Sequence, residues 1–219
     1  FPYYFQFTLT AYGKDLEPGL PEKTHLAAVF RELSRRLGKN RVVWRYDPVI
    51  CSEDWTISRH LEMFGRLAEE LKGAADTCVV SFLDRYRKIE KKLDQLGLRP
   101  PDSREREEFL REAARMAAAA GMELETCSEE GDYPSLGVRQ GSCISGERIE
   151  KITGRRVTAA KDKTQRPSCG CVKSVDIGMY DTCAHGCVYC YASRSRELIG
   201  KNMGLARPDS PYLSGEPDG

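Results

Sequence analysis

Cys183-Ala184-His185-Gly186-Cys187-Val188-Tyr189-Cys190 sets three thiols at the spacing C-x3-C-x2-C. Thiolates are ligands for soft metals and for iron–sulfur clusters. Three of them on one tight loop can take three corners of a [4Fe–4S] cube and leave the fourth iron open. Ala184 and Gly186 are small enough to let the loop wrap around such a group. His185, inside the loop, is placed to hydrogen-bond a cluster sulfur and tune its potential. A second chemistry fits the same residues. Cys187-x2-Cys190 is also a zinc spacing, and Cys183, Cys187 and Cys190 with Cys171 or His185 could complete a tetrahedral site. A third reading leaves the thiols unliganded and reactive.

Six further cysteines make nine in all. Cys169-Gly170-Cys171 is a weaker signal. Both thiols could add to the metal site, or could serve a second cluster with Cys127 and Cys143; ligand sets drawn from distant loops do not follow from sequence. Cys51 and Cys78 sit in apolar strand contexts and read as structural thiols. Five of the nine cysteines fall within residues 169–190. A secreted disulfide scaffold would be shorter and would carry a signal peptide, so a reduced, cytoplasmic setting is expected.

Polar residues at strand ends form the other candidate constellation. The segment Val42–Ile50 carries Trp44, Arg45, Tyr46 and Asp47, and the segment Thr77–Leu83 carries Ser81 and is followed by Asp84, Arg85, Tyr86 and Lys88. A charged Arg45 within an apolar strand costs several kcal/mol unless it is paired, and Asp47 and Asp84 are the candidate partners. Ligands of parallel α/β folds sit at the C-terminal ends of the strands, so Arg45, Tyr46, Asp47 and Asp84 are the expected catalytic set. Arg45 would hold a carboxylate or phosphate, and Tyr46 or Tyr86 would donate a hydrogen bond or a hydrogen atom. The bland alternative is an ion pair that stitches strands together. His25 and His60 fall in amphipathic helices and read as surface residues.

These groups are positioned by alternating strands and helices. Tyr3–Thr10 reads as a strand, Glu22–Leu37 as a helix closed by Gly38, Val42–Ile50 as a strand and Thr56–Lys72 as a helix closed by Gly73. Thr77–Leu83 follows as a strand, then Arg85–Leu96 as a helix. Asp102 and Glu105 have capping-box spacing for a helix to Ala120. Met122–Cys127 is the fourth strand and Cys143–Ile152 a shorter helix. This alternation implies βαβ crossovers and a mostly parallel sheet. The expected fold is α/β, a partial (β/α) barrel over residues 1–154, with a cysteine-rich cluster segment over 155–199 and a flexible tail over 200–219. No Gly-rich phosphate loop follows a strand, which counts against a dinucleotide-binding sheet. The chain opens directly on a strand without an initiator Met, and an N-terminal piece is expected to precede it.

Composition narrows the function classes. Lys and Arg number 34 against 33 Asp and Glu, a net charge of +1, which excludes a strongly basic nucleic-acid tail or an acidic tail as the whole account. Residues 151–173 hold seven Lys and Arg and one Asp. That stretch could attract nucleic acid, although a solvated loop is the commoner explanation. No apolar run reaches the roughly 18 residues of a membrane helix.

The cysteine spacing, with an aromatic before the last Cys, resembles the radical S-adenosylmethionine superfamily, and Cys187-Val188-Tyr189-Cys190-Tyr191 is similar to the cluster loop of spore photoproduct lyases. Further segments together resemble the domain of unknown function 1848 family: Phe7 to Gly13, Trp44 to Pro48, Ser81 to Tyr86, Gln140 to Cys143, and a long run from Lys161-Asp162-Lys163 through Gln165-Arg166 and Cys169-Gly170-Cys171 to Asp176 to Thr182 and the cluster. The resemblance implies a [4Fe–4S] cluster on Cys183, Cys187 and Cys190, and Cys169 and Cys171 stand as further candidate metal ligands on their own spacing. S-adenosylmethionine would bind on the open iron with Tyr189, His185 and Lys163 nearby, and an electron donor of flavodoxin or ferredoxin type would serve it. It also implies an N-terminal segment that precedes Phe1. In most of the superfamily the motif follows the first barrel strand, whereas here it follows the last recognisable element. The rival readings are a non-catalytic zinc or cluster module that contacts nucleic acid, and an electron carrier whose fourth ligand is Cys171 or Cys169. A nucleic-acid lesion or a nucleotide-like molecule is the substrate class that the lyase-like loop suggests.

Overall fold

Strand β2, Val42–Val49, shows why a parallel sheet forms. It is rich in β-branched and aromatic residues and is buried along most of its length, as a central parallel strand must be. On one side it pairs with β1, Phe5–Thr8, and on the other with β3, Thr77–Phe82. Strand β4, Glu123–Cys127, and strand β5, Val138–Gly141, complete the sheet. All four pairings are parallel, and the strand order is β1-β2-β3-β4-β5. A sheet that adds strands in chain order, without reversing, is an open arc of a (β/α) barrel, unlike the doubly wound sheet, whose order reverses at a switch point. The structure is a computed structural model that describes residues 1–131, 133–158 and 160–214.

Helix α1, Lys23–Leu37, helix α2, Ile57–Glu70, and helix α4, Ser103–Ala119, cover one face of the sheet. Phe30 of α1 meets Phe7 edge to face, with ring centroids 5.3 Å apart. Phe64 of α2 stacks on Trp44 at 4.8 Å, and Phe109 of α4 stacks on Tyr46 at 6.1 Å. Each large aromatic pair adds to the area it removes from water. Thr56 caps α2 through its side chain, and Asp102 and Glu105 form the expected capping box on α4. Helix α5, Gly146–Thr153, is tied to the start of β3: the Arg148 guanidinium donates to Asp76 at 3.1 Å, to Thr77 at 2.6 Å and to the Asn40 carbonyl at 2.8 Å.

Several elements differ from the expectation. The first strand is shorter, and its exposure marks an edge: Tyr3 and Phe5 are half exposed. Helix α3 covers only Glu90–Gln95. Strand β5 had no counterpart in the sequence reading. Helix α6, Arg196–Leu205, contains Gly200 and Gly204, which hide its helical character.

The chain forms two compact units. The first holds the sheet with α1, α2, α4 and α5, over residues 1–11, 21–84 and 98–174. The second holds residues 12–20, α3 within 85–97, and the chain from 175 onward. Within the second unit, Tyr86 packs on Tyr191 with centroids 4.6 Å apart, and the Lys88 ammonium lies 5.4 Å from the Tyr180 ring. Among the described residues, no helix is long and apolar enough to cross a membrane.

Candidate metal centre and polar strand ends

The C-x3-C-x2-C loop is built in the second unit by tethers at both ends and at its middle. Asp181, buried, holds the two ends together: its carboxylate accepts from the Arg194 guanidinium at 2.7 Å, and its N–H donates to the Ala192 carbonyl at 2.9 Å. The middle of the loop is fixed to the segment 12–20. Val188 N–H donates to the Leu16 carbonyl at 2.8 Å, and Gly19 N–H to the His185 carbonyl at 2.9 Å. Gly19 must be glycine for this approach, since a Cβ there would lie 2.5 Å from that carbonyl oxygen. Gly186 turns the loop at φ +68°. The Cys190 N–H donates to the Cys187 carbonyl at 3.2 Å.

The thiols of this loop interact with one another. Burial raises Cys187 to about 11, and Glu17, Cys190 and Cys183 push it the same way. Three cysteine sulfurs on one loop are the donor chemistry of a soft metal or a cluster. His185 lies on the loop with its Nδ1 3.2 Å from the Gly19 carbonyl, an acceptor, so Nδ1 carries the proton there. The Tyr189 hydroxyl donates to the buried Glu17 carboxylate, and its ring leans on Tyr12 at 5.9 Å. Both side chains are therefore occupied in shaping the loop.

The second constellation lies in the first unit, at the C-terminal ends of the strands. Side chains along β2 alternate, and the alternation divides the expected set. Arg45 and Asp47 share one face: Arg45 Nε donates to Asp47 Oδ2 at 3.1 Å, and the Ser81 hydroxyl donates to the other carboxylate oxygen. Arg45 Nη1 also donates to Gln6 Oε1 at 2.5 Å and to Cys143 Sγ at 2.8 Å. Burial works against the charge on Arg45, but Asp47 and the thiols Cys143 and Cys127 outweigh it and hold the guanidinium protonated. The Tyr4 hydroxyl and the Gln6 amide both donate to the Cys143 carbonyl.

Tyr46 faces the other way. It is fully buried among Trp44, Phe64 and Phe109 and bonded to His60. Asp84 is exposed and pairs with Arg166 at 2.5 Å, not with Arg45. Lys163 is exposed on a turn that Asp162 closes by accepting from the Thr164 N–H and hydroxyl. His60, expected at the surface, is completely buried; it stands one helical turn before Phe64 on the apolar stripe of α2.

Cys169 and Cys171 belong to the first unit, where Cys127 and Cys143 also lie. Cys127 and Cys143 have their sulfurs 2.9 Å apart. Contact with Cys127 and the Arg45 charge lower the Cys143 pKa against the opposing effect of burial, and Cys127 is raised in turn. The network around Cys143 joins Gln6, Arg45, Asp47 and Ser81 into one site. Gln6 carries no sequence signal, because a glutamine on an edge strand usually faces water. Among the described residues, no group of three or more His, Cys, Asp and Glu is arranged so that it could hold a single metal ion. A cluster differs, since its thiolates bind separate irons.

Comparison with curated proteins and with solved structures finds no match. A family model covers residues 1–192, from the first strand through the last of the three clustered cysteines. The chain belongs to the domain of unknown function 1848 family.

Proposed function

We propose that this chain is a radical S-adenosylmethionine-type iron–sulfur enzyme whose [4Fe–4S] cluster is held by Cys183, Cys187 and Cys190. The observation that carries the reading is a C-x3-C-x2-C loop whose backbone is fixed by Leu16, Gly19 and Asp181. Three thiolates leave one iron of a cube open to a small-molecule ligand. When bound, the cluster and S-adenosylmethionine supply one-electron chemistry that generates a carbon radical.

The chain's own residues have other tasks. Glu17 and Tyr189 hold the loop in shape, and Gly186 lets it turn. Arg45, held charged by Asp47, supplies a cationic hydrogen-bond donor at the strand ends for an anionic substrate group. An electron donor of flavodoxin or ferredoxin type would reduce the cluster.

Electron paramagnetic resonance of anaerobically purified, dithionite-reduced protein tests the reading. A reduced cluster signal that changes shape on adding S-adenosylmethionine, and that Cys187→Ala removes, is expected. Zinc without iron, or an iron signal indifferent to S-adenosylmethionine, overturns it.

A further inference from the structure

Four cysteines outside the C-x3-C-x2-C loop come together at the C-terminal edge of the sheet, from three separate segments. Cys127 ends β4 and stands in register with Gly141, the last residue of β5, two positions before Cys143. The segment carrying Cys169 and Cys171 is laid against both strand ends. Gln140 Nε2 donates to the Ser168 carbonyl at 2.8 Å, the Ser168 hydroxyl to the Ser128 carbonyl at 3.0 Å, and Val172 N–H to the Ile144 carbonyl at 3.0 Å. Cys169 and Cys171 are buried, and Cys127 and Cys143 are half-buried. Cys171 reaches the backbone of Ile144, the residue after Cys143.

We propose that Cys127, Cys143, Cys169 and Cys171 are the ligands of a second iron–sulfur cluster. The proposal rests on this convergence and on what surrounds the sulfurs. The Ile144 N–H donates to Cys171 Sγ at 3.3 Å and Arg45 Nη1 donates to Cys143 Sγ at 2.8 Å. Such donors stabilise ligated thiolates and set the potential of a cluster. The guanidinium also offsets negative charge that four thiolates bring.

Two simpler fates explain less. A single zinc ion needs four ligands at about 2.3 Å from one point and commonly uses C-x2-C or wider pairs. Here the pair is Cys169-x-Cys171, the other two thiols are single, and the described residues do not converge on one point. A Cys127–Cys143 disulfide would use two of the thiols and leave the other two buried beside it without a role. A cluster uses all four, and the Cys127 and Cys143 sulfurs, 2.9 Å apart here, separate as each thiol loses its proton on ligation.

The test is independent of the loop centre. The full-length variant Cys183→Ala/Cys187→Ala/Cys190→Ala is purified anaerobically and reconstituted with ferrous iron and sulfide, and iron, zinc and acid-labile sulfide are quantified. Retention of iron and sulfide is expected, with loss to background when Cys127→Ser and Cys143→Ser are added and circular dichroism is unchanged. A folded triple variant without iron, zinc in place of iron, or a Cys127–Cys143 disulfide in the anaerobic protein overturns the proposal. Should the triple variant fail to fold, Cys169→Ser/Cys171→Ser in the otherwise natural sequence takes its place. Iron is then expected to fall to about half, as for loss of one of two equal clusters, and an undiminished iron content overturns it.

Discussion

The Tyr46 hydroxyl and His60 Nδ1 are 2.9 Å apart in the aromatic core between β2 and α2. His60 Nε2 lies 2.8 Å from the Ile50 carbonyl, which can only accept. Nε2 therefore carries the ring proton, and Nδ1 accepts from the tyrosine. The ring is neutral because burial lowers its pKa to about 4.

This pair makes stability depend on acidity. In the unfolded chain a histidine protonates near pH 6.5, whereas His60 in the folded chain resists protonation down to about pH 4. The unfolded state binds the extra proton between those values, so stability falls as the pH drops through that window. The loss approaches about 3 kcal/mol at its lower end. Urea unfolding at pH 7 and pH 4.5 checks this, with His60→Gln as the reference whose pH slope is expected to be shallower. Equal slopes would show that His60 does not contribute.

Replacing Arg45 with Met should destabilise the first unit by about 3–5 kcal/mol, because the carboxylate of Asp47 is left without its partner in a site mostly shielded from water. The double change Arg45→Met/Asp47→Asn is expected to recover part of the loss. Chemical denaturation reads both, and equal stabilities for the single and double variants would show that the two side chains are not coupled.

Gly19→Ala forces a Cβ against the His185 backbone, which must then move. The expected result is a folded protein that holds the cluster of the C-x3-C-x2-C loop less tightly, read as faster iron loss to a chelator. Gly200→Ala, with open space around its Cβ inside α6, is the contrasting change. It should stabilise that helix by about 0.5–1 kcal/mol.

Phe109→Ala removes the ring that stacks on Tyr46 and contacts Phe64, Phe82 and His60. A fully buried aromatic of this kind costs about 3–5 kcal/mol when truncated. A fall in melting temperature without loss of the loop's iron is expected, since Phe109 and the loop belong to different units.

Much of the fold was legible because its signals are local. Gly38, Thr56, Asp102 and Glu105 mark helix ends through backbone chemistry that needs no tertiary context. Strand β5 escaped because Val138–Gly141 is four residues with two polar members, and only its pairing with β4 makes it a strand. The strand-end site was half legible. An arginine in an apolar strand demands a partner, and Asp47 was named. That Tyr46 points away follows from the two-residue period, but its polar tip suggested a site role. Cys143 meets Arg45 across 98 positions, and Cys127 meets Cys143 through strand register; neither contact leaves a trace in local sequence. His60 was misread because a polar side chain on an amphipathic helix usually faces water, and the deciding fact, its two buried partners, lies in β2 and the loop after it.

The sequential strand order also dictates a history. Each strand pairs with the one that left the ribosome just before it, so loop closures stay short and the sheet can grow one βα unit at a time during synthesis. The segment with Cys169 and Cys171 emerges only after β5, and until then the strand ends offer just two of the four thiols. Translation thus separates sheet formation from completion of the thiol set, and any metal delivery to that set has to wait until this later segment has emerged.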